Sequence, residues 1–140
     1  MNRYGLNFHH LGLAVKNPDR AMKFLEGLGF RMGESVLDEQ QNVNLVMCKH
    51  EAMPDIELIW QAASPGPLDT LLRNFTEFIY HICYSCNDLG HTLEMIASET
   101  RIITISRPKP AVLFSNASVS FYKVAGFGLV EIIENKKGVV

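Results

Sequence analysis

The sequence is poor in cysteine, in charge of one sign and in long apolar runs. Cys48, Cys83 and Cys86 are its three cysteines in 140 residues. An odd count, behind an opening MNRYGLNF with no apolar core of signal-peptide length, argues against a disulfide-stapled secreted domain and for a reducing, cytoplasmic setting. The formal net charge of −2 removes any electrostatic case for nucleic acid or an anionic membrane as partner. No apolar run approaches the roughly 18 residues that a membrane span requires. With 47% apolar and 20% charged residues, the chain is not disordered. Its length suits one domain, or two small halves sharing a core.

Cys83-Tyr84-Ser85-Cys86 has the spacing of a redox or zinc pair. It lies within an apolar strand pattern, where alternation sends the two thiols to opposite faces. No second ligand pair of similar spacing accompanies it. Both thiols therefore read as buried core groups.

What the sequence does contain is patterned. FHHLGLAV, Phe8 to Val15, reads as a strand. Asn17 follows as a helix N-cap, with Pro18 at the first helical position and Asp19 in the first turn. Ala21, Met22, Leu25 and Leu28 recur at helical spacing, and Gly27 and Gly29 end the helix. Strands are expected over Phe30–Leu37, Val43–Lys49 and Asp55–Gln61, with DEQQN as a turn. ASPGP, Ala63 to Pro67, is the clearest break, and a short helix is expected over Leu68–Phe75. The order then restarts. Ile79–Cys86 reads as a strand and Asp88 as the cap of a helix carrying Leu89, Leu93, Ile96 and Ala97. Ile102–Ser106, Ala111–Ser115, Val119–Val124 and Leu129–Glu134 read as extended.

Shifting the chain by 71 residues lays His10 on His81, Gly12 on Cys83 and Asn17 on Asp88. The closing strands match at an offset of 74, IELIW on VEIIE, so that Glu57 falls on Glu131. The polar exceptions thus coincide along with the apolar positions, which is the mark of a duplicated module. This predicts module 1 at about 7–62, a linker at 63–77 and module 2 at about 78–135, in a single domain spanning 1–140.

Parity sets the chemistry. His10 shares a strand face with Gly12 and Ala14, and His81 shares one with Cys83 and Ser85. Glu57 and Glu131 each interrupt an apolar strand. A carboxylate in such a setting needs a compensating charge. Two imidazoles and two carboxylates suit a divalent first-row metal, and they leave coordination positions for water or substrate. Geometry and availability, not these letters, choose among cobalt, manganese, nickel, zinc and iron.

HLGLAVKNPDRAMKFLEGLGF, YHICYSCNDL and the closing GFGLVEIIE together resemble the glyoxalase, or vicinal-oxygen-chelate, superfamily over nearly the whole chain. The resemblance implies an α+β fold of two βαβββ modules forming an open eight-stranded cup. It places metal ligands at His10, Glu57, His81 and Glu131; His10, two residues before Gly12, matches the ligand position rather than His9. It also implies a homodimer. Within the superfamily, IELIWQAASPGPLDTLLRN followed by YHICYSC is most similar to methylmalonyl-CoA epimerases. DEQQNV resembles their turn bearing one of two catalytic bases, but that position holds Gln40, which cannot take up a proton usefully, with Glu39 beside it.

The expected chemistry is proton abstraction next to the carbonyl of an acyl thioester, helped by a divalent metal. Glu131 is the candidate base, with Glu57 or Glu39 acting from the other face. A lactoylglutathione lyase of glyoxalase I type needs a similar pair of groups. A non-catalytic binding protein of the antibiotic-sequestering kind is the third alternative, and an intact ligand set argues against it. Arg31, Lys49, Arg73, Arg107 and Lys109 read as solvated charge, with Arg107–Pro110 leading into an extended segment.

Overall fold

The computed structural model describes residues 2–63, 66 and 68–135. Among them run β1 (Asn7–Val15), α1 (Pro18–Gly27), β2 (Arg31–Met32), β3 (Val36–Asp38), β4 (Val43–Lys49), β5 (Ile56–Gln61), α2 (Leu68–Asn74), β6 (Glu77–Cys86), α3 (Leu89–Ala97), β7 (Ile102–Ala111), a 3-10 turn (Val112–Phe114), β8 (Ala117–Val124) and β9 (Gly128–Glu134). Of the described residues, those within 10–80 form one compact unit, and those within 2–9 and 81–135 form another. The fold is α+β, with the strand–helix–strands order occurring twice. Ser64, Pro65 and Pro67 of the expected linker lie outside the described residues. No helix among the described residues is long and apolar enough to cross a membrane.

In the first unit the strand order is β2-β4-β5-β1, with β3 also on β4. The Asn17 side chain accepts the Arg20 N–H at 3.1 Å, and Pro18 opens α1, as its sequence predicts. This satisfies one of the donors that a helix start leaves without an intrahelical partner. Leu25 is the buried residue of α1 and packs with Val15, Phe30, Val46, Cys48 and Leu58. Burying each such aliphatic side chain contributes about 1.5–3 kcal/mol. Past the helix end, Gly29 adopts φ +97°, and a Cβ there would meet the His50 ring at 3.1 Å. His50 Nε2 in turn lies 3.0 Å from the Leu28 carbonyl oxygen, while Nδ1 accepts the Ala52 and Met53 N–H groups at 2.9 and 3.1 Å.

The strand expected over Phe30–Leu37 is two strands, which raises the expected eight to nine among the described residues. Met32 pairs with Cys48, but Val36 pairs with Leu45. Gly33 still donates to the Met47 carbonyl at 2.9 Å. Glu34 and Ser35 then stand where β4 supplies only Val46, so the chain bulges. A Cβ on Gly33 would sit 3.0 Å from the Met47 carbonyl oxygen, so glycine suits this close approach.

In the second unit the order is β6-β9-β8-β7. Asp88 caps α3 by accepting the His91 N–H at 3.0 Å, and Glu134 at the end of β9 accepts the Leu89 N–H at 2.7 Å. Two carboxylates at a helix N-terminus also favour its dipole. One face of this sheet packs Tyr122, Val130 and Ile132 with Cys86 and Leu89. The other gathers Cys83, Ala111, Val119 and Ile133. Cys83 and Cys86 thus lie on opposite faces, both buried and neither in a disulfide.

The extended segment expected over Ala111–Ser115 is extended only at Ala111. β7 runs unbroken from Ile102 to Ala111, and Val112–Phe114 is a 3-10 turn. The hairpin closes through Ser115 and Asn116, both left-handed at φ 54° and 60°, with the Asn116 N–H on the Ala111 carbonyl at 2.9 Å. Pro108 and Pro110 do not end the strand because β7 lies at the edge of its unit's strand order, where missing donors are tolerated. Register shifts between Thr104 and Lys109 absorb the irregularity.

Candidate metal centre

Each unit carries one buried histidine–glutamate pair, built in the same way. β1 runs parallel to β5 with Gly12 in register with Glu57. β6 runs parallel to β9 with Cys83 in register with Glu131. In both, the glutamate registers with the residue two beyond the histidine, so imidazole and carboxylate stand on one sheet face. Ile56, Leu58 and Trp60 turn the other way, into the cluster under α1, and Val130 and Ile132 turn into the cluster under α3.

His10 Nε2 lies 3.7 Å from Glu57 Oε2, with the side chains 0% and 4% exposed. His81 Nε2 lies 3.4 Å from Glu131 Oε1, with the side chains 1% and 4% exposed. Both separations exceed a hydrogen bond, whose heavy atoms approach to about 2.7–3.2 Å. Two donors each about 2.1 Å from a common ion stand roughly 3.0–3.4 Å apart at tetrahedral or octahedral angles. Donor type and burial in both pairs, and the 3.4 Å spacing of the His81–Glu131 pair, therefore fit a divalent first-row metal, while the 3.7 Å of the His10–Glu57 pair is slightly wider than that window. The second pair has an apolar neighbour on its own face. Phe121 lies opposite Glu131 across β8–β9, and its ring meets the His81 ring edge-on, with centroids 5.4 Å apart.

Glu39 sits elsewhere, exposed with Gln40 on the turn between β3 and β4. That turn is held by Asp38, which sequence reasoning passed over. Asp38 Oδ1 accepts the Gln40 and Gln41 N–H groups at 3.0 and 3.1 Å, and Oδ2 accepts Gln41 Nε2 at 3.0 Å. The signal was an aspartate at the head of DEQQN, because aspartate readily bonds the backbone two residues on. Phe121 was missed for a different reason: only the β8–β9 register marks its face. Of the thiols, burial pushes Cys48 up to about 11 and also raises Cys86. Arg31 pairs with Glu51 at 3.7 Å, with both side chains largely exposed.

This repeated architecture is that of the Glyoxalase/Bleomycin resistance protein/Dioxygenase superfamily, and the chain belongs to it, matching its profile over residues 9–133. No curated protein matches by sequence. Among solved structures, the chain is similar to methylmalonyl-CoA epimerase from Mycobacterium tuberculosis, with 18% identity and a TM-score of 0.79 over 96% of this chain and 91% of that one. It is also similar to a hypothetical protein from Bacillus halodurans, with 20% identity and a TM-score of 0.78 over 96% and 98% of the two chains. A third is a variant of Streptomyces coelicolor methylmalonyl-CoA epimerase in complex with 2-nitronate-propionyl-CoA, at 17% identity and a TM-score of 0.69 over 91% and 96%. At these identities the likeness establishes the fold.

Proposed function

We propose that the chain is a metal-dependent isomerase or epimerase that moves a proton α to the carbonyl of an acyl thioester, and that His10, Glu57, His81 and Glu131 serve one ion together. The observation that carries this reading is the repeated register: each unit sets a buried carboxylate beside a buried imidazole by the same parallel pairing. An isolated buried carboxylate is too costly to keep without a compensating charge, and two such pairs offer the mixed nitrogen and oxygen donor set of a first-row metal. A divalent ion held there would supply Lewis-acid polarisation of a carbonyl oxygen.

The chain's own groups have distinct tasks in this reading. Glu131 takes the α-proton at a carboxylate oxygen. Glu57, or Glu39 on its turn, returns a proton from the opposite face. The buried imidazoles would supply the nitrogen ligands of the ion, and Phe121 shields the His81 side from water, which strengthens the electrostatics. The choice of a thioester is supported by the likeness to methylmalonyl-CoA epimerase structures, one of them holding an acyl-CoA analogue.

The test is exchange of the α-proton of methylmalonyl-CoA with deuterated solvent, followed by NMR, beside turnover of the glutathione–methylglyoxal hemithioacetal. We expect exchange in the wild type and its loss in Glu131→Gln. Hemithioacetal turnover without thioester exchange would transfer the assignment to a glyoxalase I-type lyase, and wild-type exchange rates in Glu131→Gln would remove Glu131 as the base.

A further inference from the structure

The register of the second unit singles out one cation. Across β8–β9, Phe121 lies opposite Glu131 and Lys123 opposite Leu129. Across β7–β8, Ile103 lies opposite Lys123. Directly opposed residues share a sheet face, as do residues two apart on a strand. Lys123 therefore stands on the Glu131 face, as the diagonal neighbour of that carboxylate, at a separation of roughly 7–8 Å. The other face is filled by the cluster of Tyr122, Val130 and Ile132.

Ile103 and Leu129 flank Lys123 in its row, and Phe121 precedes it by two. Lys123 is exposed and makes no ion pair among the described residues. An ammonium on a flexible four-carbon stem, set among apolar side chains beside a buried carboxylate, is placed to meet an anion that arrives with a ligand. Lys109 provides a contrast. It shares this face, opposite Val119, but lies on β7, two strands from β9.

We propose that Lys123 is a specificity residue: it binds a free carboxylate on the acyl group and so selects carboxylated acyl thioesters over simple alkyl ones. This rests on the thioester reading above and names the substrate class within it. A plain acyl chain, or the methylglyoxal-derived part of the hemithioacetal, carries no carboxylate for that ammonium to hold.

The test is calorimetric binding of malonyl-CoA and propionyl-CoA to the full-length protein. The two ligands differ by a carboxylate in place of a methyl group and carry the same phosphates. The wild type is expected to prefer malonyl-CoA by about tenfold or more. Lys123→Met should lose that preference while keeping its affinity for propionyl-CoA, Lys123→Arg should retain most of it, and Lys109→Met should leave it intact. The proposal is overturned if the wild type binds the two equally or not at all, or if the preference survives in Lys123→Met. It is also overturned if Lys123→Met weakens both ligands alike, since that would place the lysine on the nucleotide phosphates. Because no turnover is read, failure here is distinct from failure of the deuterium-exchange test.

Discussion

If the two histidine–glutamate pairs serve one ion, removing a single carboxylate from either unit should weaken binding of that one ion. The informative perturbations are Glu57→Gln and Glu131→Gln, one in each unit, both nearly isosteric and both at buried positions. At a metal concentration 100 times its dissociation constant, a ligand of the folded state alone stabilises by about 2.7 kcal/mol. For a chain of this length that is a rise in Tm of roughly 8–11 °C. Loss of one carboxylate ligand should weaken binding by at least about 100-fold, a larger effect than outer-shell losses. The same metal concentration then sits near the variant's dissociation constant, where the gain falls to about 0.4 kcal/mol. The assay is urea unfolding of each protein with and without metal, together with metal stoichiometry by elemental analysis. Each variant is compared with its own metal-free form, so the intrinsic cost of the substitution cancels. One ion per wild-type chain and about half an ion or less in either variant is the expected result. Two ions per wild-type chain, or one ion retained after either substitution, would show that each pair binds alone and would refute the shared centre. A wild type that takes up no ion, and gains no stability from any of the first-row metals, would instead favour a non-catalytic binding protein.

Two further outcomes follow from the structure. The folded state holds the Cys48 proton more tightly than the unfolded chain, because burial raises this thiol from 9.0 to about 11. Its contribution is fully present below pH 9 and is lost as pH rises to about 11, at most about 2.7 kcal/mol for two pH units; Cys86 and Tyr122 are raised by burial too and add in the same direction. Urea unfolding between pH 8 and 11 should therefore show a shallower alkaline loss in Cys48→Ala than in the wild type, and parallel curves would contradict the assignment. His50→Ala removes the ring that ties the end of α1 to the 50–53 segment, and should cost about 1–3 kcal/mol; an unchanged urea midpoint would show that those bonds contribute nothing net.

Much of this protein is local and so could be read from residue order. Asn17 and Asp88 cap their helices because a short polar side chain before an apolar-periodic run has few better uses. The opposite faces of Cys83 and Cys86 follow from strand alternation alone. His10, Glu57, His81 and Glu131 stood out because each breaks an apolar pattern at a position that recurs after the repeat. What residue order could not supply was register. Whether Phe30–Leu37 is one strand or two depends on how many residues of β4 lie opposite it, and a single extra residue at Glu34–Ser35 decides that. Pro108 and Pro110 look like strand breakers until β7 is found at an edge, where no neighbour asks for their missing donors. Asp38 is one more acidic letter in a polar turn until its oxygens are seen to hold the backbone. Lys123 is one more exposed lysine until β9 sets Glu131 diagonally beside it. Alternation and capping act over a few residues and are written along the chain; pairing partners and edge position are settled between segments distant in sequence, and only the folded sheet fixes them.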